Sequence, residues 1–448
     1  MSNVSNSIAD RELNSEKLAD AYERVRSTVI DNFDERVWFM TDACLSVIAT
    51  LKLKDLQNPV GLNLVDGPSS EKTTVLSFFY GPPFVYRSDD FTPASFVSQA
   101  ASLTEEGLKK VDLLPRIRHK CLIIPELAPV FGADKEDLQK NFSMLTRVFD
   151  GEGLWRDGGV HGGRGYRDEI RFAWLGATTP IRPQVWKVMG NLGSRFLFLH
   201  ARSTVTKEEE IQRGMNSILL GDPYKERVRR CRAALRDYLA VLLGSRDARD
   251  VAPTVDWDRR REDYEIIERL TTLAHLAARG RSAVELSTSG DNGGGSTVLR
   301  ASAVEGPMRL VSVLYGLARG HALLQGRTRL TEADLPVLVA VAFSSIPEDR
   351  RSVIELLVEP HDPRKGTNRG VVTSAEIEAI LDHSRPTARG LIETLAVLGI
   401  GKLSDGVGPR PLRFEMDDQY SKWLCTDDFL QYHQVWATDS GEFGGEAA

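Results

Sequence analysis

The stretch "VDGPSSEKTT", Val65 to Thr74, sets a lysine and a threonine directly behind a short polar turn. Those side chains in that order suit polyphosphate chemistry. An ammonium reaches the β- and γ-phosphates, a hydroxyl holds Mg²⁺, and backbone N–H groups at a helix start face the phosphates. Laid without gaps on G-x-x-x-x-G-K-[ST], the first pattern glycine falls on Asp66 and the second on Glu71. Lys72 and Thr73 are kept, and Gly67 and Pro68 supply a tight turn displaced by one place. The candidate phosphate-binding set is therefore Gly67, Pro68, Ser69, Ser70, Glu71, Lys72, Thr73 and Thr74, with Thr73 holding Mg²⁺ through ATP. Glu71 brings a carboxylate to a place where phosphates would be repelled. An ordinary polar loop between a strand and a helix would have the same composition.

Further positions follow in chain order. "KCLIIPEL" is an apolar run ending at Glu126, an acid placed to activate water, while Pro125 stands where a first acid would support Mg²⁺. "FAWLGATTP" ends in Thr178 and Thr179, whose hydroxyls suit a γ-phosphate or an attacking water and equally suit a turn. "NLGSRFLFLH" puts Arg195 just ahead of another apolar run, where a guanidinium could reach a nucleotide held by a neighbouring subunit. A surface salt bridge is the commoner fate of a single arginine. "EGPMRL" sets Arg309 in the first turns of a helix.

The elements that must position these residues can be outlined from periodicity and breakers. Residues 1–57 read as helices packing on a core. Residues 58–204 read as strands alternating with helices, which implies a parallel sheet covered on both faces. In that segment "TPASFVSQAASL" predicts a helix capped by Thr92. Residues 205–358 read as helical, with a flexible loop near 287–297. A Pro-, Gly- and charge-rich stretch then precedes a helix, helix, hairpin pattern over 366–416, that of a winged helix. Residues 417–448 form a C-terminal extension with a disordered tail.

Of the 448 residues, 42% are apolar and 27% charged, as in ordinary globular chains. A net charge of −6 gives no global attraction to nucleic acid or to an anionic membrane. The four cysteines lie far apart without metal-ligand spacing, as expected of thiols in a reducing compartment. No apolar run approaches the roughly 18 residues of a membrane span. A cytoplasmic protein without a membrane partner is expected.

Phosphate loop, acid-ended strand, polar-ended strand, "GSRF", helical region and "PMRL" stand in the order of the AAA+ ATPases. Within that superfamily the chain most resembles the clade of minichromosome maintenance helicases and MoxR-type ATPases, over roughly residues 35 to 345. Two stretches carry the finer resemblance: the Gly-rich "DGEGLWRDGGVHGGRGYRDEIRF", similar to a hairpin inserted before sensor 1 (near 152–168), and "GPMRLVSVLYGLARGHALLQGRTRLTEADL", similar to that clade's lid. The resemblance implies an α/β P-loop AAA+ core with a helical lid and a C-terminal winged-helix domain. It implies ATP and Mg²⁺ as ligands, ATP hydrolysis, and a homo-oligomer, a hexameric ring. Carried over by position, Lys72 and Thr73 bind phosphate and Mg²⁺, Glu126 is the catalytic base, Thr178 or Thr179 is sensor 1, Arg195 the finger and Arg309 sensor 2. Asp66, Glu71 and Pro125 depart from the family pattern.

Trp155, Arg156, His161, Arg164 and Arg167 on the inserted hairpin suit contact with a polymer backbone, and so do Arg385 and Arg389 at the start of the winged helix's second helix. DNA or a protein partner is the expected object of the motor. Two rivals remain: an ATP-binding switch or scaffold that does not hydrolyse, and a winged-helix DNA-binding regulator with a degenerate ATPase core.

Overall fold

A computed structural model describes residues 2–68, 70–98, 105–158, 162–193, 195–200, 207–219, 221–289, 296–359, 369–404 and 411–437. Ser69, His161 and the end of the tail lie outside them. The centre of the fold is a five-stranded parallel sheet built from β1 (Val60–Val65), β2 (Val85–Arg87), β3 (Cys121–Ile124), β6 (Ala173–Thr178) and β7 (Phe196–His200). Between β3 and β6 stands an antiparallel hairpin of β4 (Leu154–Gly158) and β5 (Gly162–Tyr166). Every residue of β1, β3 and β6 is buried, as it must be for strands covered on both faces.

The two faces have separate cores. Leu62, Leu64, Leu175, Ala177, Leu197 and Leu199 point into one cluster with the N-terminal helices and the helical half of the chain. Trp174, Phe196 and Phe198 point into another with Phe142 and Phe149 of the helix Lys135–Phe149. The sheet order is β2–β3–β6–β1–β7, so β6 is intercalated between the strand before the loop and the strand that ends in the acid. That order differs from both common doubly wound orders.

The N-terminal helices Ser2–Asn32 and Glu35–Ala49 pack on this body. Asp34 caps the second, accepting a 2.8 Å bond from Val37 N. The predicted helix after Thr92 is shorter than its sequence suggests. It is a 3-10 turn, Pro93–Phe96, and Thr92 makes no side-chain cap bond. β-branched Val97 leaves it in an extended conformation.

Beyond β7 the chain is helical: Lys207–Leu219, Tyr224–Leu243, Tyr264–Gly280, Met308–Leu324, Leu335–Ser344 and Glu348–Val358. Gly320 lets Met308–Leu324 approach Glu35–Ala49, since a Cβ there would sit 2.1 Å from Ser46 O. The flexible loop expected near 287–297 lies, over 290–295, outside the described residues. Its flanks form an antiparallel hairpin, β8 (Ala283–Ser289) and β9 (Ser296–Ala303). The alternation around Val284, Leu286, Leu299 and Ala301 favours pairing.

The C-terminal unit is a three-stranded antiparallel sheet, ordered β10 (Val371–Thr373), β12 (Arg413–Met416), β11 (Gly401–Ser404). The helices Ser374–Ile380 and Arg385–Val397 lie between β10 and β11 in sequence. Thr373 and Glu376 close a reciprocal capping box at the first, and Ser384 caps the second. The extension is ordered as two helices, Asp418–Leu424 and Asp427–Ala437, and Phe429 stacks on Phe343 at 5.8 Å. No helix among the described residues is long and apolar enough to cross a membrane.

Candidate functional site

Three strand ends meet at one edge of the sheet. Val65, the last residue of β1, pairs with Thr178, and Gly176 pairs with Ile124, the last residue of β3. The loop after β1, the hydroxyl pair at the end of β6 and the acid after β3 therefore share the carboxyl edge of a parallel sheet, where such folds place ligands. The loop folds over the Lys72 ammonium. Lys72 Nζ donates to Asp66 O (2.8 Å), Gly67 O (2.5 Å) and Ser70 Oγ (2.7 Å). Burial pushes this ammonium's pKa down, while the charges of Asp66 and Glu126 hold it up. Glu126 thus lies close enough to Lys72 to stabilise its charged form.

Glu126 is exposed, and its Oε1 accepts a 2.8 Å bond from Ala128 N. Leu127 N donates to Ala177 O at 2.8 Å, tying the chain after β3 to β6. Thr178 is buried and Thr179 exposed at the end of β6. Thr73 is exposed on the first turn of Lys72–Phe78, whereas Thr74 Oγ1 lies 2.7 Å from Tyr224 OH. Thr74 therefore ties the loop to the helical half. No protein-family model matches this chain, and no curated protein matches it. Function rests on the geometry of these side chains.

The Glu71 carboxylate is paired with an arginine from the second N-terminal helix. Glu71 adopts a left-handed backbone, φ 64, where the pattern has glycine, and its Oε2 accepts a 3.0 Å bond from Arg36 Nη2. Arg36, the partner of this carboxylate, belongs to no loop pattern. Among the described residues no group of three or more His, Cys, Asp or Glu side chains could cage a metal. Mg²⁺ held by phosphates and a single hydroxyl needs no such cage.

The two arginines that the resemblance singles out, Arg195 and Arg309, lie elsewhere. Phe196, at the start of β7, is nearest Gly61 in register, so Arg195 stands at the amino edge of the sheet, opposite Lys72. It is buried and bound to Asp150, Nη2 to Oδ1 at 2.8 Å. Arg309 is exposed beside it. A Cβ on Gly193 would sit 3.2 Å from Arg309 Nη1 and 3.4 Å from Arg195 Nη1.

On the hairpin, Arg156 Nη1 donates to Val97 O (3.0 Å) and Arg164 Nη2 to the wholly buried Asp112 Oδ2 (2.7 Å). Both guanidiniums anchor the hairpin to the core. Trp155 and Arg167 are exposed, with the guanidinium 4.1 Å from the indole centroid. In the C-terminal unit Arg385 and Arg389 are exposed, and Arg389 Nε bonds Glu393 at 3.1 Å. Arg36, Tyr224, Asp112 and Asp150 escape a sequence reading because their partners are distant in the chain and no spacing links them.

Proposed function

We propose that the chain is an ATPase of the AAA+ type that works as an oligomeric ring, a hexamer, on DNA or a protein partner. The observation that carries this reading is the convergence of Lys72, Glu126 and the Thr178–Thr179 pair at the carboxyl edge of one sheet. β6 lies between β1 and β3, so the strand end that carries Thr178 and Thr179 stands between those that lead to Lys72 and to Glu126.

Bound Mg²⁺–ATP supplies the phosphoryl group and neutralises part of its charge. Lys72 exchanges its loop carbonyls for phosphate oxygens, and Thr73 offers its exposed hydroxyl to the cation. Ala128 N–H fixes one oxygen of Glu126, leaving Oε2 to take a proton from water. Thr179 orients that water, with Thr178 behind it. Arg195 and Arg309, across the sheet from this edge, serve a nucleotide on a neighbouring subunit. The C-terminal sheet and its two helices have the order of a winged helix, with Arg385 and Lys402 exposed for a partner.

Phosphate release by the wild type, Lys72→Ala and Glu126→Gln is the test. Turnover in the wild type and its loss in both variants supports the reading; equal inactivity of all three, with no ATP bound, sinks it. Pro125 favours a second reading, a nucleotide switch, because no acid at that place assists Mg²⁺. ATP binding without turnover, with DNA and protein partners present, would select it.

A further inference from the structure

We infer that Arg36 is a positioning residue for the phosphate loop: it binds the Glu71 carboxylate and keeps that negative charge out of the space the phosphates enter. The inference rests on the reading of the loop as a phosphate site and adds a residue far outside it. Both pattern glycines are replaced by acids, Asp66 and Glu71. One guanidinium addresses both. Arg36 Nη2 bonds Glu71 Oε2 at 3.0 Å, and Nη1 stands 4.0 Å from Asp66 Oδ2.

The geometry explains why Arg36 can do this. It lies in the first turn of Glu35–Ala49, whose start is pinned by the Asp34 cap. Asp66 Oδ1 is also occupied, accepting a 2.6 Å bond from Gly67 N. Glu71 is partly buried, and its left-handed backbone sends the side chain toward that helix. Burial raises the Glu71 pKa, and Arg36 is the foremost charge opposing that rise. Arg227 adds a weaker attraction from the helical half. With Arg36 absent, the carboxylate is free to turn toward Lys72, where it competes with phosphate for the ammonium and repels it.

The test is calorimetric titration of Mg²⁺–ATP into the full chain as wild type, Arg36→Ala, Glu71→Gln, the double variant and Lys72→Ala. Arg36→Ala is expected to bind roughly tenfold more weakly, because a partly buried carboxylate is released beside a polyphosphate. Adding Glu71→Gln is expected to restore affinity to about the wild-type value, which a merely structural role for Arg36 would not allow. An unchanged Arg36→Ala affinity, or a double variant as weak as Arg36→Ala, overturns the inference. Should Arg36→Ala not fold, Glu71→Gln alone decides: affinity equal to or above wild type supports it, and weaker binding overturns it. A wild type that does not bind ATP overturns the phosphate-loop reading itself; binding lost in Lys72→Ala but indifferent to Arg36 overturns only the role of Arg36.

Discussion

Arg195 Nη2 lies 2.8 Å from Asp150 Oδ1, at the edge of the sheet opposite Lys72. Both partners are largely withdrawn from water, and the guanidinium is further held by Leu192 O at 3.2 Å. Arg195 does not reach the Lys72 loop of its own chain, since β7 alone separates the two edges by about 13 Å. Burial lowers its pKa and Asp150 opposes the fall, so the pair belongs together.

If Arg195 works across a subunit boundary, defects in Arg195 and in Lys72 must complement. Mixing Arg195→Lys protein, inactive alone, with Lys72→Ala protein, also inactive alone, should restore part of the phosphate release. Some mixed interfaces then pair an intact loop with an intact arginine. A mixture no more active than its components, though co-assembled, contradicts the assignment.

Glu71 gives a prediction about stability. A non-glycine residue with φ 64 carries a steric cost of roughly 1–2 kcal/mol, which glycine avoids. Glu71→Ala keeps that cost and loses the Arg36 pair. Glu71→Gly loses the pair but relieves the backbone. Urea denaturation should therefore rank Glu71→Gly above Glu71→Ala by roughly 1 kcal/mol. The reverse order would mean that the backbone is not left-handed at Glu71.

The sheet was legible because its strands are short apolar runs that end in a loop, an acid or a hydroxyl. Val60–Val65, Cys121–Ile124, Ala173–Thr178 and Phe196–His200 all fall inside runs the pattern marks. The flanks of the 287–297 loop were not legible, because the run of glycines masks two strands that pair across it. Of the candidate site, residue types and order single out Lys72 and Glu126, which the fold brings to one edge of the sheet. The direction of Glu71, the burial of Arg195 and the anchoring of Arg156 and Arg164 depend on Arg36, Asp150, Val97 and Asp112. Only folding brings those partners near.

Asp112 is the latch of the β4–β5 hairpin. Its wholly buried carboxylate accepts from Ser98 N (2.7 Å), Arg164 Nη2 (2.7 Å) and Tyr166 OH (2.8 Å). Asp112→Ala removes the buried acceptor that these three donors share, a change that costs roughly 3–5 kcal/mol when a buried pair is broken. Limited proteolysis should then cut within residues 150–170 well before the wild type is touched. Arg167→Ala, on the exposed face, should leave stability within about 0.5 kcal/mol. Equal protection of Asp112→Ala and wild type would show that the hairpin is held by something else.

A buried charge network joins the N-terminal helices to the helical half. His321 Nε2 lies 3.1 Å from Asp42 Oδ2, and its Nδ1 lies 2.6 Å from Asp334 Oδ1. Tyr22 OH donates to Asp42 at 2.7 Å, and Arg327 makes two 2.7 Å bonds to Asp334. Burial alone would lower the His321 pKa, but the charges and hydrogen bonds of Asp42 and Asp334 prevail and lift it from 6.5 to about 10. Asp334 moves the opposite way: burial raises it, yet Arg327 and His321 hold its pKa below the ordinary value. The signs follow by linkage. The raised histidine contributes stability that is complete below pH 6.5 and is lost as pH climbs toward about 10. The depressed aspartate contributes stability present above its unfolded value of 3.8 and lost as pH falls below that. Urea midpoints should therefore decline from about pH 6.5 upward in the wild type, well before ordinary lysines titrate. His321→Gln should be less stable at neutral pH by roughly 3–5 kcal/mol, because two carboxylates lose their shared cation. It should also flatten the alkaline decline. A wild-type midpoint that is level between pH 6.5 and 9.5, about the window of the shift, would mean that His321 is neutral in the folded chain.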